Sequence, residues 1–200
     1  MDRPIYETFA PIAPPHDCAL CPRLCAHRAE AGGHGPASSH GPVSARVLIV
    51  GLAPDTAGDD GGTSGPLYHA LHRLGMAQHP GGADSPPPLS DTRITHTVRC
   101  APPDRMPDPA EVRTCNQYLA GELATLPNLR AVLALGALAH AAVLSACGIP
   151  PARIRFVHGM IHLLPDGLIL ADCDGTGHEL AVDALESSIL ALLKYLETAA

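Results

Sequence analysis

Arg46-Val-Leu-Ile-Val-Gly-Leu-Ala-Pro-Asp55 decides the fold. Val47 to Val50 is an unbroken apolar run, mostly β-branched, and Gly51 and Pro54 punctuate its end. Such a run reads as a strand buried on both faces and closed by a tight turn. In an open parallel sheet, ligands bind just past the carboxyl ends of the strands. The turn Gly51-Leu52-Ala53-Pro54 and the loop on to Gly65 therefore fall where chemistry is expected. That loop carries adjacent carboxylates, Asp59 and Asp60, among Gly58, Gly61, Gly62 and Gly65. Glycine-rich loops after strands also serve as plain turns, and carboxylates there also cap the following helix.

Working outward, Ile94-Thr-His-Thr-Val-Arg-Cys100 alternates and is β-branched, so it reads as a second strand. Ala131 to Leu135 reads as a third, and Ile161–Leu164 and Leu168–Asp172 as short strands around a Pro-Asp-Gly turn. Between them lie helical stretches: Leu67 to Met76, Pro109 to Leu126 with Asp108 as its cap, Gly136 to about Cys147, and His178 to Thr198. Residues 1–16 and about 29–44 read as irregular, and Ala101 to Pro109 carries four prolines, too many for regular structure. Alternating strands and helices imply an α/β domain with a mostly parallel sheet and helices on both faces.

The 200 residues suit a single domain, 1–200, and a 46% hydrophobic content is that of a globular chain. No apolar run is long enough to span a bilayer, and Met-Asp-Arg-Pro does not open a signal peptide. The expectation is a soluble, cytoplasmic monomer that makes no use of a membrane. With two Phe, four Tyr and no Trp, few rings are on hand for stacking bases. The net charge of −7 argues against nucleic-acid binding by bulk electrostatics but leaves room for a local basic patch.

Of the seven cysteines, Cys18 and Cys21 form a C-x2-C pair, and Cys100 and Cys115 flank the proline-rich loop. Four thiolates so arranged fit structural zinc or an iron–sulfur cluster, with zinc slightly favoured by spacing alone. The plain alternative is four unrelated buried thiols. Cys25 is close enough to replace Cys21 as a ligand. Cys147 and Cys173 read as core thiols.

Several segments, taken in order, resemble one family. They are Cys18-Ala-Leu-Cys21-Pro-Arg-Leu-Cys25, Val47 to Pro54, Leu67-Tyr-His-Ala-Leu-His72, and Ile94 to Pro103. Pro107 to Val112, Cys115 with Tyr118-Leu119, Ala134 to His140, and His158-Gly159 followed by Leu163 to Gly167 complete the set. Together they resemble the iron–sulfur uracil-DNA glycosylases, most closely the family 5 type. The resemblance implies a three-layer α/β/α sandwich with a four-stranded, mostly parallel sheet. It implies DNA as partner and excision of uracil or another damaged base in repair. It also implies a structural [4Fe–4S] cluster on Cys18, Cys21, Cys100 and Cys115, which moves the metal reading from zinc to iron–sulfur.

The chain departs from that family at two loops. The family's Arg-Pro-Phe element, whose Phe stacks on the flipped base, is missing from the short segment Asp55 to Pro66. Its His-Pro-Ser type motif is replaced by Asp172-Cys-Asp-Gly-Thr-Gly-His178, with Asp174 where the family's anion-stabilising His belongs. A carboxylate there opposes negative charge growing on a departing base. Weak or lost uracil activity is therefore expected, with a catalytically inactive binder of DNA or a partner as the alternative. Asp59, Asp60 and His178 remain the candidate catalytic groups. The base pocket falls to Gly51, Leu52, Ala53, Pro54, His96 and Asp174, His96 standing where the family has an Asn that reads uracil. Arg99 and Arg105 are the candidate phosphate contacts, and His140 reads as packing.

Overall fold

Strand β1 (Val47–Gly51) is buried at every residue, as its apolar run requires. It lies inside a five-stranded sheet of order β2-β1-β3-β5-β4. The other strands are β2 (Thr92–His96), β3 (Ala131–Leu135), β4 (Ile161–Leu163) and β5 (Ile169–Cys173). β2, β1, β3 and β5 run parallel, and β4 is an antiparallel edge strand on β5. The parallel four match the expected sheet; β4 is the addition. This computed structural model describes residues 12–32, 34–54, 64–78, 86–174 and 182–198.

Alternate residues of each parallel strand point to opposite faces. Val47 and Ile49 of β1 pack with Leu133, Ile169 and Ile94 against α2 (Ser64–Arg73) and α5 (Val182–Thr198). Leu48 and Val50 pack with Val132 and Leu170 against α3 (Pro109–Thr125) and α4 (Ala137–Ala146). The result is a three-layer α/β/α sandwich with one apolar core on each face of the sheet. No described helix is long and apolar enough to cross a membrane.

Three boundaries differ from the sequence reading. The second strand ends at His96 and not at Cys100, because Thr97 turns both its N–H and its hydroxyl onto Gly51 O, at 2.8 and 3.0 Å. The helix expected to reach Met76 stops at Arg73, where Gly75 takes the left-handed conformation and its N–H bonds His72 O. A helix α1 (Pro22–Glu30) stands where none was expected. It buries only Leu24, so it lacks the apolar stripe by which helices are read.

Ahead of β1, residues 34–41 lie along the outer edge of β2. His40 exchanges backbone hydrogen bonds with Ile94, at 2.9 and 2.7 Å. Gly41 turns the chain there at φ +107°, and a Cβ on it would collide with Thr92 O. The edge of β2 is thereby covered, which removes a site for strand addition.

Candidate functional site

Two places carry chemistry-bearing side chains. The first is a pocket walled by Cys18, Cys21, Cys25, Cys100 and Cys115, with Leu24 and Tyr118. Cys21 is the residue that caps α1, Cys115 sits in α3, and Cys100 follows the bend after β2. α1 is tied to α3 by a two-pronged ion pair from Arg23 to Glu111, with N–O distances of 3.0 and 2.7 Å. Glu111 also closes the capping box of α3 with Asp108. Arg23, Glu111 and Asp108 thus bring the segment that carries Cys18 and Cys21 against the helix that carries Cys115.

Donors surround the sulfurs. Arg28 Nη1 donates to Cys100 Sγ at 3.2 Å, and Arg99 N to Cys115 Sγ at 3.4 Å. Tyr118 Oη lies 3.8 Å from Cys18 Sγ. Burial, and then nearby negative charge including the other thiols, pushes the Cys21 thiol up to about 11. Burial does the same for Cys115, also to about 11, against the Arg99 N–H and charge. Burial raises Cys100 as well, with Arg28 opposing it. Thiols gathered this way resist ionising together, and a bound metal centre reverses that resistance.

The donor set fits a metal centre of soft ligands. Its spacing is informative too. Tetrahedral zinc at about 2.3 Å from each sulfur holds its sulfurs about 3.8 Å apart. Among the described residues, no three cysteine sulfurs lie within 4.8 Å of one another. They line one pocket. Arg99 also lines that pocket, and its buried Nε has no partner among the described residues.

The second place is the crevice at the carboxyl ends of the parallel strands. Gly51 pairs in register with His96, which is 2% exposed and packs so that a Cβ on Gly51 would meet its ring at 3.1 Å. Leu52 and Ala53 are half-buried and Pro54 is buried. Gly136, at φ +96°, opens α4 and donates its N–H to Cys173 O at 2.8 Å. Asp174 is exposed past β5, and its N–H is held by His158 Nδ1 at 2.9 Å. The pocket candidates thus gather along one end of the sheet, with Asp174 two strands from Gly51. Asp59, Asp60 and His178 lie outside the described residues.

One candidate is corrected. Arg99 is 1% exposed and bonds Glu122 Oε2 and Ser39 Oγ, each at 2.6 Å, so it is a buried structural cation and not a phosphate contact. Arg105 is exposed, in the left-handed conformation at φ +58°. Cys25 faces the same pocket as the other four, with Sγ 3.3 Å from Cys18 O. Cys173 is core, and Cys147 lies beside the α4 core cluster.

Sequence reasoning missed two buried networks. Glu122 is bonded by Arg99, Arg93, Thr95 and Ser39, at 2.6 to 2.9 Å. Asp172 faces His140 Nδ1 at 2.6 Å, His162 Nε2 at 3.1 Å and Val157 N at 3.1 Å. His140 is thus more than packing: its other nitrogen faces Ile154 O at 2.9 Å. The readable signal for Glu122 was a carboxylate inside the Leu119, Leu123, Leu126 stripe of α3.

The fold and its strand-end crevice define an open α/β ligand-binding domain. A family model, the uracil DNA glycosylase superfamily, matches residues 38–176. A type-5 uracil-DNA glycosylase of Thermus thermophilus is 36% identical over 174 aligned positions, covering 75% of this chain and 78% of the relative. One from Mycobacterium tuberculosis is 36% identical over 182 positions, covering 78% and 67%. One from Pyrobaculum aerophilum is 35% identical over 165 positions, covering 72% of each. The chain belongs to the uracil-DNA glycosylase superfamily, in its type-5 branch.

Proposed function

We propose that this chain is a DNA-repair glycosylase of the type-5 kind, built on a [4Fe–4S] cluster, with weak or lost activity towards uracil. The observation that carries the excision reading is family membership across the sheet and both crevice-forming turns. The cluster reading rests on family membership and on the cysteines that line one pocket. Cys18, Cys21, Cys100 and Cys115 would hold it, and Cys25 stands as the reserve thiol. In this reading the cluster supplies architecture, joining the segment that carries Cys18 and Cys21 to α3 and the proline loop.

Excision needs a pocket for an extruded base and a group that meets negative charge on it as it leaves. The turn Gly51 to Pro54 and the buried His96 form the wall of such a pocket. Gly51 lets the backbone approach closely, because no Cβ stands against the His96 ring. Asp174 is the discordant group. It is exposed at the strand end, where a carboxylate repels the developing anion.

The alignment with the Thermus relative contains gaps in this chain. Three quarters of a 200-residue chain is fewer residues than the 174 positions aligned with the Thermus protein. The relative therefore carries residues opposite gaps in this chain. DNA is the partner in this reading, with Arg105 as an exposed phosphate contact; the site of action is the cytoplasm and the active species a monomer.

The test is single-turnover cleavage of uracil-containing DNA, single-stranded and G·U-paired, with protein in excess and iron and sulfide assayed first. Slow release that falls when Asp59 and Asp60 are changed to Ala supports a rebuilt active site. Retained DNA binding with no release identifies the non-cutting binder. Absence of both activities overturns the proposal. For the cluster, Cys100→Ser and Cys115→Ser should each lose the brown colour and most of the iron, and a colourless, iron-free anaerobic preparation of the unchanged chain sinks it.

A further inference from the structure

Arg28 lies on the last turn of α1, half-buried, and both hydrogen bonds of its guanidinium go to the cysteine site. Nη1 donates to Cys100 Sγ at 3.2 Å, and Nη2 donates to Cys18 O at 2.9 Å. Cys18 and Cys100 belong to different cysteine pairs: one precedes α1 and the other follows β2. One rigid fork therefore spans both. No carboxylate forms an ion pair with Arg28 among the described residues. Arg99, the other guanidinium on the pocket wall, is already matched by Glu122. The positive charge of Arg28 thus has the thiol site as its main counterpart.

We infer that Arg28 is a positioning residue for the metal centre, fixing Cys100 and Cys18 in one geometry and setting the electronic state of the bound cluster. The inference rests on the cluster reading above. A charged N–H donor to a ligand sulfur draws electron density from it and favours the more reduced state, whichever couple is accessible. A planar fork does this and holds a carbonyl at the same time; an ammonium is a point charge and does one or the other. Burial raises the Cys100 thiol and Arg28 opposes that rise, in line with its facing the sulfur.

The experiment uses the full chain, reconstituted anaerobically, as the unchanged protein, Arg28→Gln and Arg28→Lys. Iron and sulfide per chain, reduction potential, and the rate of iron loss to a chelator are measured. Melting of each metal-free form is measured alongside. The expected result is a more negative potential in Arg28→Gln and about tenfold faster iron loss. Arg28→Lys should fall between the two, and the metal-free forms should melt together. Failure of both variants to take up iron, with metal-free melting unchanged, also supports the role. Equal potentials and equal iron loss in all three overturn it. So does a lowered melting point in the metal-free variants, which would make Arg28 a strut of the fold. If the unchanged protein takes up no iron or sulfide, the cluster reading itself has failed, and that outcome is distinct from the others.

Discussion

Glu122 and Asp172 are both carboxylates with fully buried side chains, and the fold satisfies them with different partners. Glu122, in α3, meets two guanidinium groups, Arg93 and Arg99, and the hydroxyls of Ser39 and Thr95. Asp172, in β5, meets two imidazoles and one backbone N–H. Guanidinium is charged at every accessible pH, whereas imidazole is charged only after gaining a proton. His140 faces Asp172 Oδ1 from Nδ1 and Ile154 O from Nε2. The Glu122 network is closed by permanent charge. The Asp172 network is closed by imidazole rings and one backbone N–H. The first holds the thiol-pocket side of the sheet, and the second holds the loop 154–160 against β5.

The contrast breaks most easily at its stronger end. Glu122→Gln leaves Arg99 buried without a counter-charge and should cost about 3–5 kcal/mol in urea unfolding. Asp172→Asn removes the charge but leaves an acceptor for one of three donors. It should cost about 2–3 kcal/mol. If Asp172→Asn proves the costlier of the two, the ranking of guanidinium over imidazole partners is wrong.

Acid sharpens the comparison further. Burial tends to raise the Glu122 pKa, and Arg99, Arg93, Ser39 and Thr95 overcome this and hold it below its ordinary 4.5. A carboxyl lowered on folding contributes stability in full above its unfolded value, and that contribution is lost as pH falls through the native value. Unfolding free energy measured from pH 6 downward should therefore drop below about 4.5 in the unchanged protein. The part of that drop due to Glu122 should be missing from Glu122→Gln. The smallest effect belongs to the exposed Arg46–Asp91 pair, 2.6 Å apart with side chains 57% and 37% exposed. Arg46→Ala should cost at most about 1 kcal/mol, and less in high salt.

The parallel strands were legible because each carries its own signal. Val47 to Val50 and Ala131 to Leu135 are apolar throughout, and a strand buried on both faces needs nothing else. Helix α1 was not legible, since its stability comes from Pro22 at its start and from Arg23 reaching Glu111, 88 residues away. The thiol pocket was half legible. Cys18 and Cys21 announce themselves by spacing, but Cys100 and Cys115 join them only through the bend after β2 and the capped start of α3. Arg99 was misread because an arginine at a strand end looks solvated until the buried glutamate opposite is known. Glu122 reaches it from 23 residues on, across a contact between α3 and the bend after β2 that no local pattern encodes.

The described residues ahead of β1 supply no strand to the sheet. They are fastened by side chains and a few backbone bonds: Arg23 on Glu111, Arg28 on Cys100, Ser39 on Glu122, Ala37 on Arg99, and His40 on Ile94. Such fastenings set an order of disassembly. This arm should come away first, in an opening that exposes α1 to hydrogen exchange while β1 and β3 remain protected. Whatever the cysteines hold is then released in the same event, long before the sandwich itself comes apart.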